Sequence, residues 1–114
     1  MSSATQTNLC IYRVTADRED DFREVLTRHW PALREAGLAT DRRPTIYLGR
    51  EEGGPVFYEI FEWTSPEGPR LAHESPGVMA VWEPMGEMTE DRGGRPGMEF
   101  PVVAPLEIVY PGDE

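Results

Sequence analysis

Apolar and polar positions are arranged along this chain with a period that changes several times, and each change marks an element. Leu9, Cys10, Ile11, Tyr12 and Val14 are apolar toward both faces of an extended segment, with Arg13 the exception. This predicts a strand over residues 8–14 that is covered on both sides. Asp17 is a candidate helix N-cap, and Glu19, Asp20 and Asp21 put negative charge in the first turn, where the helix dipole favours it. Phe22, Val25, Leu26, His29, Leu33 and Ala36 follow at helical spacing. Gly37 is the expected stop, and Pro31 predicts a kink. An extended piece over 45–50, the turn 51–55 and the strongly apolar strand 56–63 read as a hairpin.

Residues 65–69 break the strand. A second helical region follows in two pieces: about one turn over 70–74, then a helix capped by Ser75 with Pro76 at its first position. Val78, Val81, Trp82, Met85 and Met88 or Thr89 keep its spacing, and Pro84 predicts another kink. Residues 91–99, with three glycines and a proline, read as a flexible loop. Residues 102–110 read as the last strand, with Pro105 marking an edge or a bulge, and the tail 111–114 as frayed.

The order β-α-β-β-α-β predicts an α+β, ferredoxin-like fold: a four-stranded antiparallel sheet with two helices on one face. It forms one domain over 1–114, with a core at 8–110. Along residues 56–63, Phe57, Phe61 and Trp63 fall on one side and Val56, Tyr58 and Ile60 on the other. Two helices cover only one of these sides. A second copy of the sheet is the simplest cover for the other, and a monomer with that side protected by loops and the tail is the alternative.

The net charge of −10 argues against nucleic acid and anionic membranes as partners. No apolar run approaches the roughly 20 residues of a membrane helix, and the polar start, residues 1–7, lacks the pattern of a secretory signal. One cysteine, Cys10, allows no internal disulfide, so a reducing cytoplasmic compartment is expected. Cys10 reads as an inert buried thiol and His29 as a satisfied core histidine. No spacing of Cys, His, Asp and Glu resembles a zinc site. Gly93-Gly94-Arg95-Pro96-Gly97 lacks the context of a phosphate loop, and Ser65 and Ser75 suit turns and caps better than nucleophilic catalysis.

Glu62-Trp63 at a strand end, Leu71-Ala72-His73, and Ser75-Pro76-Gly77-Val78 together resemble the antibiotic-biosynthesis monooxygenase family of the dimeric α+β barrel superfamily. Element order and lengths match that family over nearly the whole chain. The resemblance implies a homodimeric barrel and an oxygenase that works on small phenols or quinols without metal, flavin or other cofactor. In such a reaction the deprotonated substrate itself supplies the electron to oxygen. The protein supplies a dry aromatic pocket, a proton acceptor and an orienting hydrogen bond. On this reading His73 is the proton acceptor, Asn8 or Tyr58 orients the substrate, Trp63 is the pocket wall, and Phe61, Glu59 and Trp82 complete the site.

Each of these residues also has a structural reading. His73 suits a helix break, hydrogen-bonded to backbone or across a dimer. Glu59 is either a base with a raised pKa or one half of a buried pair with Arg13 or Arg50, and the pair is the expected arrangement. Phe57, Phe61, Trp63, Tyr58 and Tyr12 line a ligand cavity or simply fill a core, and Trp82 packs on the sheet. A second function class, a small-ligand binding or interaction module without chemistry, therefore stands beside the oxygenase. A third reading, haem binding or degradation, follows from the haem-degrading members. Asn8 matches their Asn, but Trp82 occupies the place of their His, so the haem ligand is missing there.

Overall fold

The computed structural model describes residues 4–113. Strand β1 (Gln6–Arg13) leads through a single 3-10 turn (Ala16–Arg18) into helix α1 (Glu19–Glu35). Strands β2 (Thr45–Glu51) and β3 (Gly54–Trp63) form the hairpin. The short helix α2 (Gly68–Ala72) and the helix α3 (Pro76–Glu87) follow, then two-residue strands β4 (Met98–Glu99) and β5 (Val102–Val103). The sheet order is β2-β3-β1-β4, with β5 also on β1 and every pair antiparallel. This is the expected ferredoxin-like α+β arrangement, its outermost strand divided in two.

The hairpin turn is tighter than its five-residue span suggests. Gly53 and Gly54 adopt φ of 107° and 144°, which only glycine takes without strain, so Glu51 pairs directly with Gly54 and β3 starts early. Asp17 is not the cap of α1. It lies inside the 3-10 turn, and the helix starts two residues later with no side-chain cap, its first turn still carrying Glu19, Asp20 and Asp21. The helix runs through Pro31 and ends before Gly37, at φ 78°. Ser75 does cap α3, its Oγ accepting from the Val78 amide at 3.3 Å, with Pro76 in the first turn.

The end of the chain departs most from expectation. Residues 91–99 are not a free loop. Arg92 is 7% exposed, its guanidinium donating to the carbonyls of Val14 and Pro55 and pairing with Glu90. Asp91 accepts from the Gly97 amide, and Met98–Glu99 is itself a strand on β1. Conversely, only Val102–Val103 of the expected strand 102–110 is paired. Beyond it residues 104–110 are exposed and outside any strand, although Leu106, Ile108, Val109 and Tyr110 are large and apolar. Pro105, which has no N–H to donate, stands where the pairing stops.

Register assigns the faces. Gln6, Asn8, Cys10 and Tyr12 of β1 stand opposite Trp63, Phe61, Glu59 and Phe57 of β3. Cys10, Tyr12, Phe57, Phe61 and Trp63 join Phe22, Val25, Leu26 and Leu33 of α1 and Val78, Val81 and Met85 of α3 in one core. The other face carries Leu9, Ile11, Tyr47, Tyr58, Ile60 and Val103. Tyr47 is 60% exposed, Val103 37% and Ile60 36%. Residues 104–113 are exposed along their length, and of them Ala104 and Pro105 border this face beside Ile60. Among the described residues, no helix is long and apolar enough to cross a membrane.

Candidate functional site

The helix-covered face carries one carboxylate. Glu59, 1% exposed, lies in the middle of β3 between Phe57 and Phe61. Its partners are neither of the arginines expected. Arg13 stands opposite Val56 and points to the other face, where it bonds Glu99 at 2.6 Å and the Pro96 carbonyl at 2.7 Å. Arg50 sits on the exposed edge strand and pairs with Glu19 of α1 at 2.9 Å. Strand alternation, which turns successive side chains to opposite faces, excludes Arg13 once the register is set.

Glu59 instead accepts from the Tyr12 hydroxyl at 2.8 Å and is bonded to His29 Nδ1 at 2.9 Å. The other ring nitrogen of His29 is also engaged: Trp82 Nε1 donates to Nε2 at 2.9 Å. An indole N–H is a donor only, so Nε2 carries no proton. The imidazole proton sits on Nδ1 and is donated to Glu59. The hydrogen bonds thus fit the Nδ1–H tautomer. Burial beside Glu59 leaves the Tyr12 phenol and the Cys10 thiol harder to ionise than usual, so both stay protonated; Cys10 is no nucleophile.

Aromatic rings enclose the pair. Phe61 meets the His29 ring edge-on at 5.7 Å, Trp63 packs on Phe61 at 4.8 Å, and Trp82 stands perpendicular to Trp63 at 6.4 Å. The Trp63 indole N–H is buried with no hydrogen-bond partner. Gly68 lies flat against the Trp63 ring: a Cβ there would come within 2.2 Å of Cε3, so no side chain fits between α2 and the ring. His73, at the C-terminal end of α2, is exposed and sits edge-on to Trp82 at 5.1 Å.

The structure therefore brings together Glu59, Phe61, Trp63 and Trp82, with His73 at the rim. Asn8 is opposite Phe61 on the same face, but its amide donates to the carbonyls of Phe100 and Pro101 and anchors the broken edge strand. Tyr58 lies on the other face of the sheet. His29 is the residue the sequence reading left in the core. It is indeed buried and fully bonded, yet its partner is the buried carboxylate. The available signal was a pair of misfits: a histidine in the apolar stripe of one element and a glutamate on the apolar face of another, each needing a partner.

Two cavities flank this cluster. One of about 320 Å³ lies between α1 and the hairpin, lined by Arg23, Leu26, Thr27, Ile46, Leu48 and Phe57; Ile46 is the residue opposite Glu59. The other, of about 550 Å³, includes Thr7, Arg43, Ile60 and Val103 in its lining and lies where the tail leaves the sheet. Neither is lined by His29, Glu59 or His73. Among the described residues, no cluster of three or more His, Cys, Asp or Glu side chains is placed to hold a metal ion.

The raised pKa values have a consequence for stability. Cys10 and Tyr12 titrate ordinarily at 9.0 and 10.0, and burial first, then Glu59, pushes both up in the folded protein. Between the unfolded and folded values the unfolded chain has released protons that the folded chain still holds, so stability falls as pH rises. The full stabilisation is present below about pH 9 and declines above it, by up to roughly 1.4 kcal/mol per pH unit for each group. Urea midpoints measured from pH 8 to 11 are expected to show this slope, and Cys10→Ala and Tyr12→Phe are each expected to remove part of it.

The fold is the ferredoxin-like α+β fold of several solved structures, antibiotic-biosynthesis monooxygenases among them. SnoaB of Streptomyces nogalater, a cofactor-independent oxygenase, superposes with a TM-score of 0.67 at 16% identity over 94% of this chain and 98% of its own. A candidate antibiotic-biosynthesis monooxygenase of Nitrosomonas europaea gives 0.62 at 12% identity, covering 97% and 96%. A dimeric ferredoxin-like protein of unknown function from Jannaschia sp. CCS1 gives 0.61 at 12% identity, covering 89% and 99%. At these identities the likeness is one of fold. No family model matches the sequence, and no curated protein matches it significantly.

Proposed function

We propose that this protein is a homodimeric, cofactor-independent monooxygenase of the antibiotic-biosynthesis type, acting on a small phenolic or quinone-like molecule held between the sheet and the helices. The observation that carries this reading is the Glu59–His29 pair, buried without any arginine or lysine and walled by Phe61, Trp63 and Trp82. A buried ion pair is a weak source of stability, and a proton acceptor inside an aromatic pocket is what oxygen chemistry on a phenol requires. His73 stands at the rim, where it holds Trp82 and meets an incoming hydroxyl. The second copy of the chain covers the face carrying Tyr47, Tyr58 and Ile60, and the apolar tail beyond Val103 belongs to the same interface.

The binding-module reading has one observation in its favour: neither cavity is lined by His29, Glu59 or His73. Oxygen uptake separates the two. The purified protein, treated with a chelator, is mixed with a panel of phenols, naphthols and quinols while dissolved oxygen is followed. Uptake above the rate of the compound alone, from protein that is a dimer by native mass spectrometry, supports the oxygenase. A dimer that binds members of the panel with no uptake from any of them selects the binding module.

A further inference from the structure

The proton on His29 and the indole that faces it define a device which the monooxygenase reading alone does not contain. Glu59 holds Nδ1–H, so the lone pair of Nε2 points away from the sheet toward α3. That lone pair is occupied by Trp82 Nε1–H, the single group that shields it in the hydrogen-bond network. Trp82 is also the least buried member of the cluster, and its ring rests against the exposed His73. Between the exposed His73 and the buried Nε2 of His29 stands this half-buried indole. Close by, Trp63 is 4% exposed and its buried indole N–H lacks an acceptor, a deficit that an oxygen atom of a ligand would make good.

We propose that Glu59, His29 and Trp82 form a capped proton acceptor, in which the Trp82 indole occupies His29 Nε2 until the acidic hydroxyl of an aromatic ligand displaces it. This rests on the reading that such a ligand enters between sheet and helices, and it assigns the base within that site to His29. In the step itself the ligand O–H bond breaks, its proton goes to the Nε2 lone pair, and its electron pair stays on oxygen as phenolate. His29 becomes imidazolium beside the carboxylate of Glu59, with Tyr12 O–H donating to the same Oε1. The groups facing the imidazole are Glu59 from β3 and Trp82 from α3. Tyr12 and Cys10 of β1 lie behind the carboxylate, and His73 lies beyond the indole. Trp82 is thus a gate with chemical meaning, because leaving Nε2 costs it a hydrogen bond that only another donor repays.

The probe is 2-naphthol, whose neutral and ionised forms absorb at different wavelengths, added at pH 7 without oxygen so that no turnover intervenes. The wild type is expected to show bound naphtholate. In His29→Gln the naphthol still binds, but its naphtholate signal falls by at least about tenfold, the change in ionisation ratio that one pKa unit represents. In Trp82→Phe, which keeps the ring and removes the N–H, the signal rises, since no donor competes for Nε2. A ligand-free measurement runs in parallel. Long-range proton–nitrogen spectra are expected to show His29 as the Nδ1–H tautomer, with the Trp82 indole proton shifted downfield and protected from exchange. Bound naphthol that stays neutral, naphtholate in His29→Gln equal to wild type, no uptake of naphthol by the wild type, or an Nε2–H tautomer would each overturn the proposal. Naphtholate formation without oxygen uptake in air keeps the acceptor and removes only the monooxygenase reading, so the two fail separately.

Discussion

Deletion of residues 104–114 is expected to turn the proposed homodimer into a monomer, or to weaken dimerisation by at least about a hundredfold, while leaving the sheet intact. Leu106, Ile108 and Tyr110 alternate with Glu107 and Val109, the pattern of a strand with one apolar side. Yet Leu106 is 80% exposed, Ile108 54% and Tyr110 63%. Fully burying one such side chain is worth about 1.5–3 kcal/mol, and a two-fold dimer buries each of them twice. Even after the several kcal/mol that association costs, the tail is large enough to decide whether the dimer forms. Tail and core are separate in the fold: beyond Val103 no described residue belongs to a strand of the sheet. Analytical ultracentrifugation across a concentration series, with circular dichroism for secondary structure, checks both halves of the expectation. A truncated protein that remains a dimer at the wild-type affinity would place the interface elsewhere.

That tail also shows how far local pattern carries a fold. The strands 8–14, 45–50 and 56–63 could be placed because each is bounded by turn chemistry and carries its own apolar faces, and the structure moves their ends by at most two residues. The C-terminal segment has the same strand pattern but finds no partner within one chain. Composition cannot distinguish a strand paired here from one paired on another copy. The opposite error occurred at 91–99, where three glycines and a proline imply a loose loop. Two of those glycines, Gly93 and Gly94, do form a turn at φ 56° and 83°. What holds the segment down is Arg92, bonded to carbonyls of β1's end and the hairpin turn, a long-range contact with no local signature.

The site was legible in its parts and not in its connections. Glu59, Phe61, Trp63 and Trp82 could be named because their types and alternation set them on one face or one stripe. The partner of Glu59 depends on which arginine shares its face and on how α1 lies across β3. Register answers the first question, by turning Arg13 away, and helix packing answers the second, by bringing His29 over the carboxylate. A histidine within an apolar stripe is ordinarily a satisfied core residue, and this one is satisfied. What gives it interest is that the group satisfying Nδ1 is a buried carboxylate, and the group satisfying Nε2 is a half-buried indole.

Glu59→Ala is expected to be the most damaging single substitution in the core, costing about 3–5 kcal/mol, a large share of the stability of a domain this small. It deletes an acceptor used twice, leaving the Tyr12 hydroxyl and the His29 Nδ1–H buried without partners, beside the cavity left by the lost side chain. Glu59→Gln keeps an oxygen for both donors and is expected to cost less, while depriving the imidazole of the negative charge that would support its protonation. The informative variant removes all three buried polar partners at once and leaves only the half-buried Trp82 N–H. Tyr12→Phe, His29→Leu and Glu59→Leu together replace them with apolar groups of similar bulk, and urea denaturation is expected to return most of the stability lost in Glu59→Ala. Exchange of a buried ionic cluster for hydrophobic packing is often neutral or better. Such a recovery, in a protein that binds 2-naphthol only in its neutral form, would show that the core does not need these polar groups to fold and that their role lies in moving a proton. If the triple variant stays as unstable as Glu59→Ala, the network is a structural fixture of this sheet–helix interface, and the case for chemistry at His29 weakens accordingly.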